Sequence, residues 1–389
     1  MGRPRRSFYV LAAGGATVLT LALCELAVRA FDLGPEIVPI YAENFRLASD
    51  PVLGYELVPG SEYLGGTISS RGLRDREYAI RKPAGTLRIA CVGDSICFGY
   101  DVRPEETLAS RLADLLNDHY AESGVAFEVL NFGVMGYNVT QVVRAVETRV
   151  LAYEPDLVVY AYAVNDPQEY STELDGLFAQ LSGAQRDYLD ELLRPGRRLA
   201  SRSRLFLLAR YALQSQTAAG GAPGATGESA EPREDPQWSS LWDGTYGDYY
   251  SRLHASPDGW GRVASGFRAL GEIARREEIP IWVAIFPVLK DLGAYPLRDV
   301  HAKVAAAASA ESLGVIDLYP AFVAIAQVRG ARFARDFLHP DAPGYGFSAL
   351  AVLRGLLLGG ALPVDERDVD RLADDPSPTG EWARILLGK

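Results

Sequence analysis

Sulfur and histidine are scarce in this chain: 389 residues include three cysteines, two methionines and four histidines. Cys24 stands in an N-terminal apolar stretch, while Cys91 and Cys97 flank one short polar turn. That distribution builds no disulfide framework, and the three read as unpaired thiols of the kind that behave as small hydrophobes. His119, His254, His301 and His339 are scattered, with no His-x-x-x-His or Cys-x-x-Cys spacing, which argues against a structural zinc. Basic surplus is missing as well. A net charge of −11 leaves nothing to neutralise phosphates, so a nucleic-acid partner is not expected. No internal repeat is evident. What remains is a globular composition, 48% hydrophobic and 23% charged, with material for one large domain or two ordinary ones.

The N-terminus is the first informative stretch. Arg3, Arg5 and Arg6 precede an uncharged apolar run from Phe8 to Cys24, followed by "ELAVRAF". Residues before Cys24 make neither a good cleavage site nor a good lipoprotein box, so the expectation for 1–31 is an uncleaved signal-anchor. Basic residues retained inside would place the rest of the chain outside the cytoplasm, periplasmic or at the cell surface.

Residues 32–86 are rich in turns and read as an extended approach segment packed on the core. From Leu87 strands alternate with helical periodicity. "LRIACV" has no polar alternation, as expected for a strand buried on both faces. "PEETLASRLADLLNDHY" then sets Leu108, Leu112, Leu115 and Leu116 on one helical face. Further strands read at "FEVLNFG", "PDLVVYAYAVND", "PIWVAIFPV" and "LGVIDLY", with helices at "TQVVRAVETRVLAY", roughly 293–312, and "DAPGYGFSALAVLRGLLLGG". Such alternation predicts a parallel sheet covered on both faces, with sites gathered outside the carboxyl ends of its strands. Residues 167–280 interrupt the pattern as an insertion, helical and basic over 174–215. The stretch 216–236, low in complexity, is expected to be disordered. The aromatic run 238–250 reads as packing, and 361–389 as a C-terminal tail with a short helix.

Each polar cluster in this scheme sits at a strand end. "GDS" places Ser95 after the first strand, "NFGVMGYN" puts Gly133 and Gly136 after the second, and "AVND" puts Asn165 and Asp166 after the third. "DFLH" sets Asp336 three residues before His339 and just ahead of a helix. Acyl transfer requires a nucleophile, a base, a group that orients the base, and donors for the developing oxyanion. Ser95, His339 and Asp336 fit the first three. The Ser95 N–H, the Gly136 N–H and the Asn165 amide fit the last, with Gly133 the rival to Gly136. Asp94 reads as a helix cap. Surface roles are expected for His119, His254 and His301.

Taken in order, "GDSI" (93–96), the glycine of "VMGYN", "VND" (164–166) and "DFLH" (336–339) resemble the four motif blocks of the SGNH hydrolase (GDSL-type esterase/lipase) superfamily. "ELAVRAF" and "LGYELVPG…GLRD" resemble a membrane-anchored subgroup of it. The resemblance implies a three-layer α/β/α flavodoxin-like fold over 87–360, with Ser95 as nucleophile, His339 as base and Asp336 as its partner. It implies Gly136 and Asn165, with the Ser95 N–H, as the oxyanion hole, and no metal or organic cofactor. The implied activity is hydrolysis of an ester, an O-acyl group on an envelope glycan or a lipid. An O-acyltransferase on the same scaffold, or a non-catalytic binding or assembly protein, are the alternatives.

Overall fold

The computed structural model describes residues 6–31, 44–121, 124–169, 243–329, 336–362 and 378–387, with isolated positions at 203–212, 240–241, 333–334 and 373. The expectations for 174–215 (apart from the isolated positions at 203–212) and for 216–236 lie outside the described residues. Two compact units form, one of residues 1–40, 47–54 and 176–233, the other of 41–46, 55–175 and 234–389.

In the first unit, helix α1 runs over Arg6–Ala30. Its Glu25 accepts hydrogen bonds from the Ser203 hydroxyl at 2.8 Å and the Leu205 N–H at 2.9 Å, and pairs with Arg29 at 2.6 Å. Among the described residues no helix is long and apolar enough to cross a membrane.

The second unit is built on five parallel strands: β1 (Thr86–Gly93), β2 (Ala126–Asn131), β3 (Leu157–Tyr162), β4 (Ile281–Ile285) and β5 (Gly314–Asp317), in the order β2-β1-β3-β4-β5. The apolar runs become strands because both faces are covered; all six residues of β3 are buried. A four-residue helix α2 (Ser95–Phe98) follows β1, and α3 (Leu108–His119) then buries Leu108, Leu112 and Leu116. Helix α4 (Val139–Ala145) leads toward β3. Inside the stretch 167–280 lie α5 (Tyr246–Ala255) and α6 (Pro257–Glu277); beyond it come α7 (Arg298–Ala310), α8 (Tyr319–Arg329), α9 (Ala342–Leu358) and α10 (Pro378–Leu387). Helices α3, α9 and α10 pack together on one side of the sheet, and α4 and α6 pack against each other apart from them.

In this order β2 is added on one side of β1 and β3, β4 and β5 on the other, so the winding reverses between β1 and β3, which puts the topological switch point at the carboxyl ends of those two strands. A crevice there is where an open α/β sheet binds ligands.

The surface roles expected for His254 and His301 are corrected: each is 1% exposed. Hydroxyl, carbonyl and carboxylate partners satisfy the buried rings. His254 meets the Tyr162 hydroxyl and the Tyr250 carbonyl, both at 2.8 Å, and His301 meets Asp317 at 2.8 Å and the Tyr295 hydroxyl at 3.1 Å. The side chain of His119 lies outside the described residues. The helix expected over 293–312 starts at Arg298, because 292–294 forms a separate 3-10 turn ahead of Pro296.

Candidate active site

Ser95 stands at the carboxyl end of β1 because the chain turns there from strand to helix within two residues. Gly93 makes that turn possible: its φ is +151°, and a Cβ would lie 2.7 Å from the Ala161 carbonyl of β3. Asp94 then caps α2, its carboxylate accepting the Ile96 N–H at 2.9 Å. Burial raises the Asp94 carboxyl above its ordinary range, while the Ile96 N–H, His339, Ser95 and Asn165 work the other way. A carboxylate engaged as a cap is not the one that orients the base.

Asp336 is the carboxylate that reaches His339. The Ser95 hydroxyl lies 2.8 Å from His339 Nε2, and His339 Nδ1 lies 2.6 Å from Asp336 Oδ2. These contacts join residues 244 positions apart through the position of one turn, 336–340, just ahead of α9. Phe337 takes a left-handed φ of +66°, and the Asp336 Oδ1 accepts the N–H groups of Leu338 at 3.0 Å and His339 at 2.8 Å. The carboxylate thus fixes the backbone of the turn with one oxygen and the imidazole with the other. Burial pushes the Asp336 carboxyl up, but the His339 ring and the two N–H donors outweigh it and hold the group below the usual carboxylate range. Ser95 and His339 are both buried, at 8% and 6% exposure.

The loop after β2 is pinned at both ends of the switch-point crevice. The Phe132 and Val134 N–H groups donate to Cys91 and Gly93 of β1 at 2.8 and 3.1 Å, and the Val139 N–H donates to the Asp166 carbonyl at 3.3 Å. Between these anchors, Gly136 adopts φ +74° in a turn closed by a 3.1 Å bond from the Tyr137 N–H to the Val134 carbonyl. Gly133 serves packing instead. A Cβ there would lie 2.2 Å from the Phe98 nitrogen, so its bare backbone is what lets α2 sit against the loop. After β3, the Asn165 side chain lies near Asp94 and works against the rise that burial imposes on that carboxyl. The Asn165 Oδ1 is buried without a hydrogen-bond partner. Asp166 is a buried structural carboxyl. It accepts the Tyr160 hydroxyl and the Ala163 N–H, and burial together with the charge of Asp94 raises it well above the ordinary value.

The structure therefore brings Ser95, His339 and Asp336 into one hydrogen-bonded chain, with Asn165 beside Asp94 and Gly136 in the adjoining loop. Tyr100 is a neighbour that sequence pattern does not reveal. Its ring lies 4.4 Å from the His339 ring at an interplanar angle of 37°, and nothing in its position, five residues past Ser95, signals that contact. Among the described residues no group of three or more His, Cys, Asp or Glu side chains is placed to hold a metal ion. A groove of about 470 Å³ lined by Trp282 and Gly314 opens at the amino ends of β4 and β5, away from this chemistry.

Similarity to known proteins is remote at the level of whole structures. A two-domain esterase active on acetylated mannans, co-crystallized with mannopentaose, is 13% identical with a TM-score of 0.40. That match covers 70% of this chain and 49% of the other, so the chain spans about half that esterase's length. An acetyl xylan esterase from Geobacillus stearothermophilus is 16% identical over 69% of this chain and 94% of its own, with a TM-score of 0.41. An alpha/beta hydrolase enzyme from the metagenome of Lake Arreo, Spain, is 14% identical over the same 69% and 94%, with a TM-score of 0.39. No curated protein matches the chain. The profile of one family does match, over residues 91–347, which spans Ser95, Gly136, Asn165, Asp336 and His339. By that match, which takes in more than half of the sequence, the chain belongs to the GDSL-like lipase/acylhydrolase family.

Proposed function

We propose that the protein is a serine esterase that removes an O-acyl group from an envelope glycan or a lipid through an acyl-Ser95 intermediate. One observation carries the reading: the continuous chain from Asp336 through His339 to the Ser95 hydroxyl, at 2.6 and 2.8 Å. In the first step the Ser95 oxygen attacks the ester carbonyl carbon while His339 Nε2 takes its proton. The oxyanion that forms is met by the N–H groups of Ser95 and Gly136 and by the side-chain amide of Asn165. Collapse expels the alcohol, which receives the proton from His339, and leaves the acyl group on Ser95. Water, losing a proton to His339, then attacks the acyl carbon; a second collapse releases the carboxylic acid and restores the serine. Asp336 keeps the imidazole in the tautomer with Nδ1 protonated and stabilises the imidazolium.

Ser95→Ala tests this directly. Hydrolysis of p-nitrophenyl acetate should fall to background with the melting temperature unchanged, whereas undiminished turnover would refute the assignment. A labelled fluorophosphonate should react with the unaltered chain and not with the variant.

The reading extends to a membrane-held enzyme facing away from the cytoplasm. Support comes from Arg3, Arg5 and Arg6 ahead of the apolar run, and from the exposure of Val18, Leu19, Leu21, Leu23 and Leu26 along α1, all above 50%. The full chain should stay with membranes through an alkaline carbonate wash. Recovery in the supernatant would count against the anchor.

A further inference from the structure

The approach segment ahead of β1 contains a tyrosine that reaches the oxyanion loop. Tyr55 is fully buried, and its ring packs edge-on against Phe45 at 6.0 Å and Tyr137 at 5.3 Å. Its hydroxyl donates to the Met135 carbonyl at 2.6 Å. The Tyr137 hydroxyl in turn donates to the Tyr55 carbonyl at 2.6 Å. The two tyrosines thus grip the turn on either side of Gly136, each holding the other's stretch of backbone.

The identity of the acceptor matters. The Met135 carbonyl and the Gly136 N–H are the two ends of a single peptide group, and no peptide bond among the described residues is cis. In a trans peptide the C=O and N–H point in opposite directions in one plane. Fixing the carbonyl of Met135 therefore fixes the direction of the Gly136 N–H. A donor on the carbonyl oxygen also polarises the amide, which makes its N–H a better donor. The glycine itself supplies no stiffness, since φ near +74° is one of several conformations open to it. The restraint has to come from outside, and Tyr55 supplies it from 80 residues upstream.

We propose that Tyr55 is a positioning residue for the oxyanion hole, holding and polarising the Met135–Gly136 peptide so that the Gly136 N–H is aimed before substrate arrives. The inference rests on the esterase reading above, and on Gly136 as one of its oxyanion donors. It assigns a role to a residue outside the span of the family match, which begins at residue 91.

The test compares Tyr55→Phe with Tyr78→Phe in the full chain. Tyr78 also gives its hydroxyl to a backbone carbonyl, that of Val129 at 3.2 Å, but along β2 and away from the oxyanion turn. Hydrolysis of p-nitrophenyl acetate is measured per serine labelled at the end point by a fluorophosphonate. Loss of a direct oxyanion donor costs about 10²- to 10³-fold in kcat; loss of a group acting through the peptide should cost less, about tenfold. Tyr55→Phe is expected to lower kcat about tenfold with KM within about twofold, and to weaken inhibition by phenylboronic acid by a similar factor. Tyr78→Phe should keep kcat within about twofold. A variant that only folds poorly loses labelled sites and keeps its turnover per site, and that result would overturn the proposal. So would a fall in kcat for Tyr55→Phe no larger than that for Tyr78→Phe. Ser95→Ala, run alongside, separates the two readings: if it stays active the esterase assignment fails, and if it is inactive while Tyr55→Phe matches the unaltered chain, the Tyr55 assignment alone fails.

Discussion

Two Asp–His pairs occur among the described residues of the second unit, and of these two the His339 pair faces a serine. His301 meets Asp317 at 2.8 Å, but its other nitrogen faces the Tyr295 hydroxyl, which also accepts the Val288 N–H at 3.0 Å. That arrangement is a buried brace for the loop after β4. His339 differs in what it faces, a serine at the end of a strand, and in what its carboxylate does besides. Asp336 is held by two N–H donors as well as by the imidazole. Asp336→Asn should keep the turn, because the amide oxygen can still accept the Leu338 and His339 N–H groups. Its NH2 would then face His339 Nδ1, forcing the proton onto Nε2 and removing the base. A fall in kcat of about 10⁴ is expected on p-nitrophenyl acetate with little change in melting temperature. A loss below about tenfold would take Asp336 out of the triad.

At the scale of elements, what the sequence disclosed followed from local pattern, and what it hid followed from long-range contact. The strands could be read because continuous apolar runs leave few other options, and Ser95, Gly136 and Asn165 stood out because they follow such runs, whereas Asp336 and His339 lie in a turn just ahead of α9 and not at a strand end. The i to i+3 relation of Asp336 and His339 also gave a local reason to pair them, which the left-handed Phe337 realises as a turn rather than as the first turn of α9. The role of Gly133 against that of Gly136 was not decidable from spacing, because it depends on how closely α2 approaches the loop. Tyr100 carries no periodicity and no motif, and Tyr55, although it stands in "LGYELVPG", gives no sign there of the carbonyl it meets; the partners of both arrive only when the sheet is assembled. For the same reason His254 and His301 looked like solvent-facing residues. Histidine is buried only when both nitrogens find partners, and here those partners come from other elements or from across a helix turn.

For the molecule as a whole, His254 ties acid stability to the packing of three elements. Its ring, on α5, bonds to Tyr162 at the end of β3, and its backbone carbonyl accepts Lys303 of α7 at 2.7 Å. Burial lowers its pKa to about 4, the Tyr250 carbonyl opposes that shift, and the nearby charges of Lys303 and His301 add to it. The unfolded chain has an ordinary histidine there, near 6.5. Between those values the unfolded state binds more protons than the folded one, so stability rises with pH across the window and is lost as pH falls from about 6.5 toward 4. Asp75 acts with the opposite sign. Burial raises its carboxyl to about 6, so the folded state binds the extra proton between about 4 and 6 and gains stability on acidification. The Asp75 contribution is common to the parent and to a His254 variant, and it cancels when the two are compared. Linkage then gives an excess loss of about 2 kcal/mol for the parent on going from pH 7.5 to pH 5.0, relative to His254→Gln. Urea unfolding of both proteins at the two pH values measures it. Equal acid losses would show that the histidine stays neutral in both states or charged in both, and that the acid sensitivity of the second unit has another source.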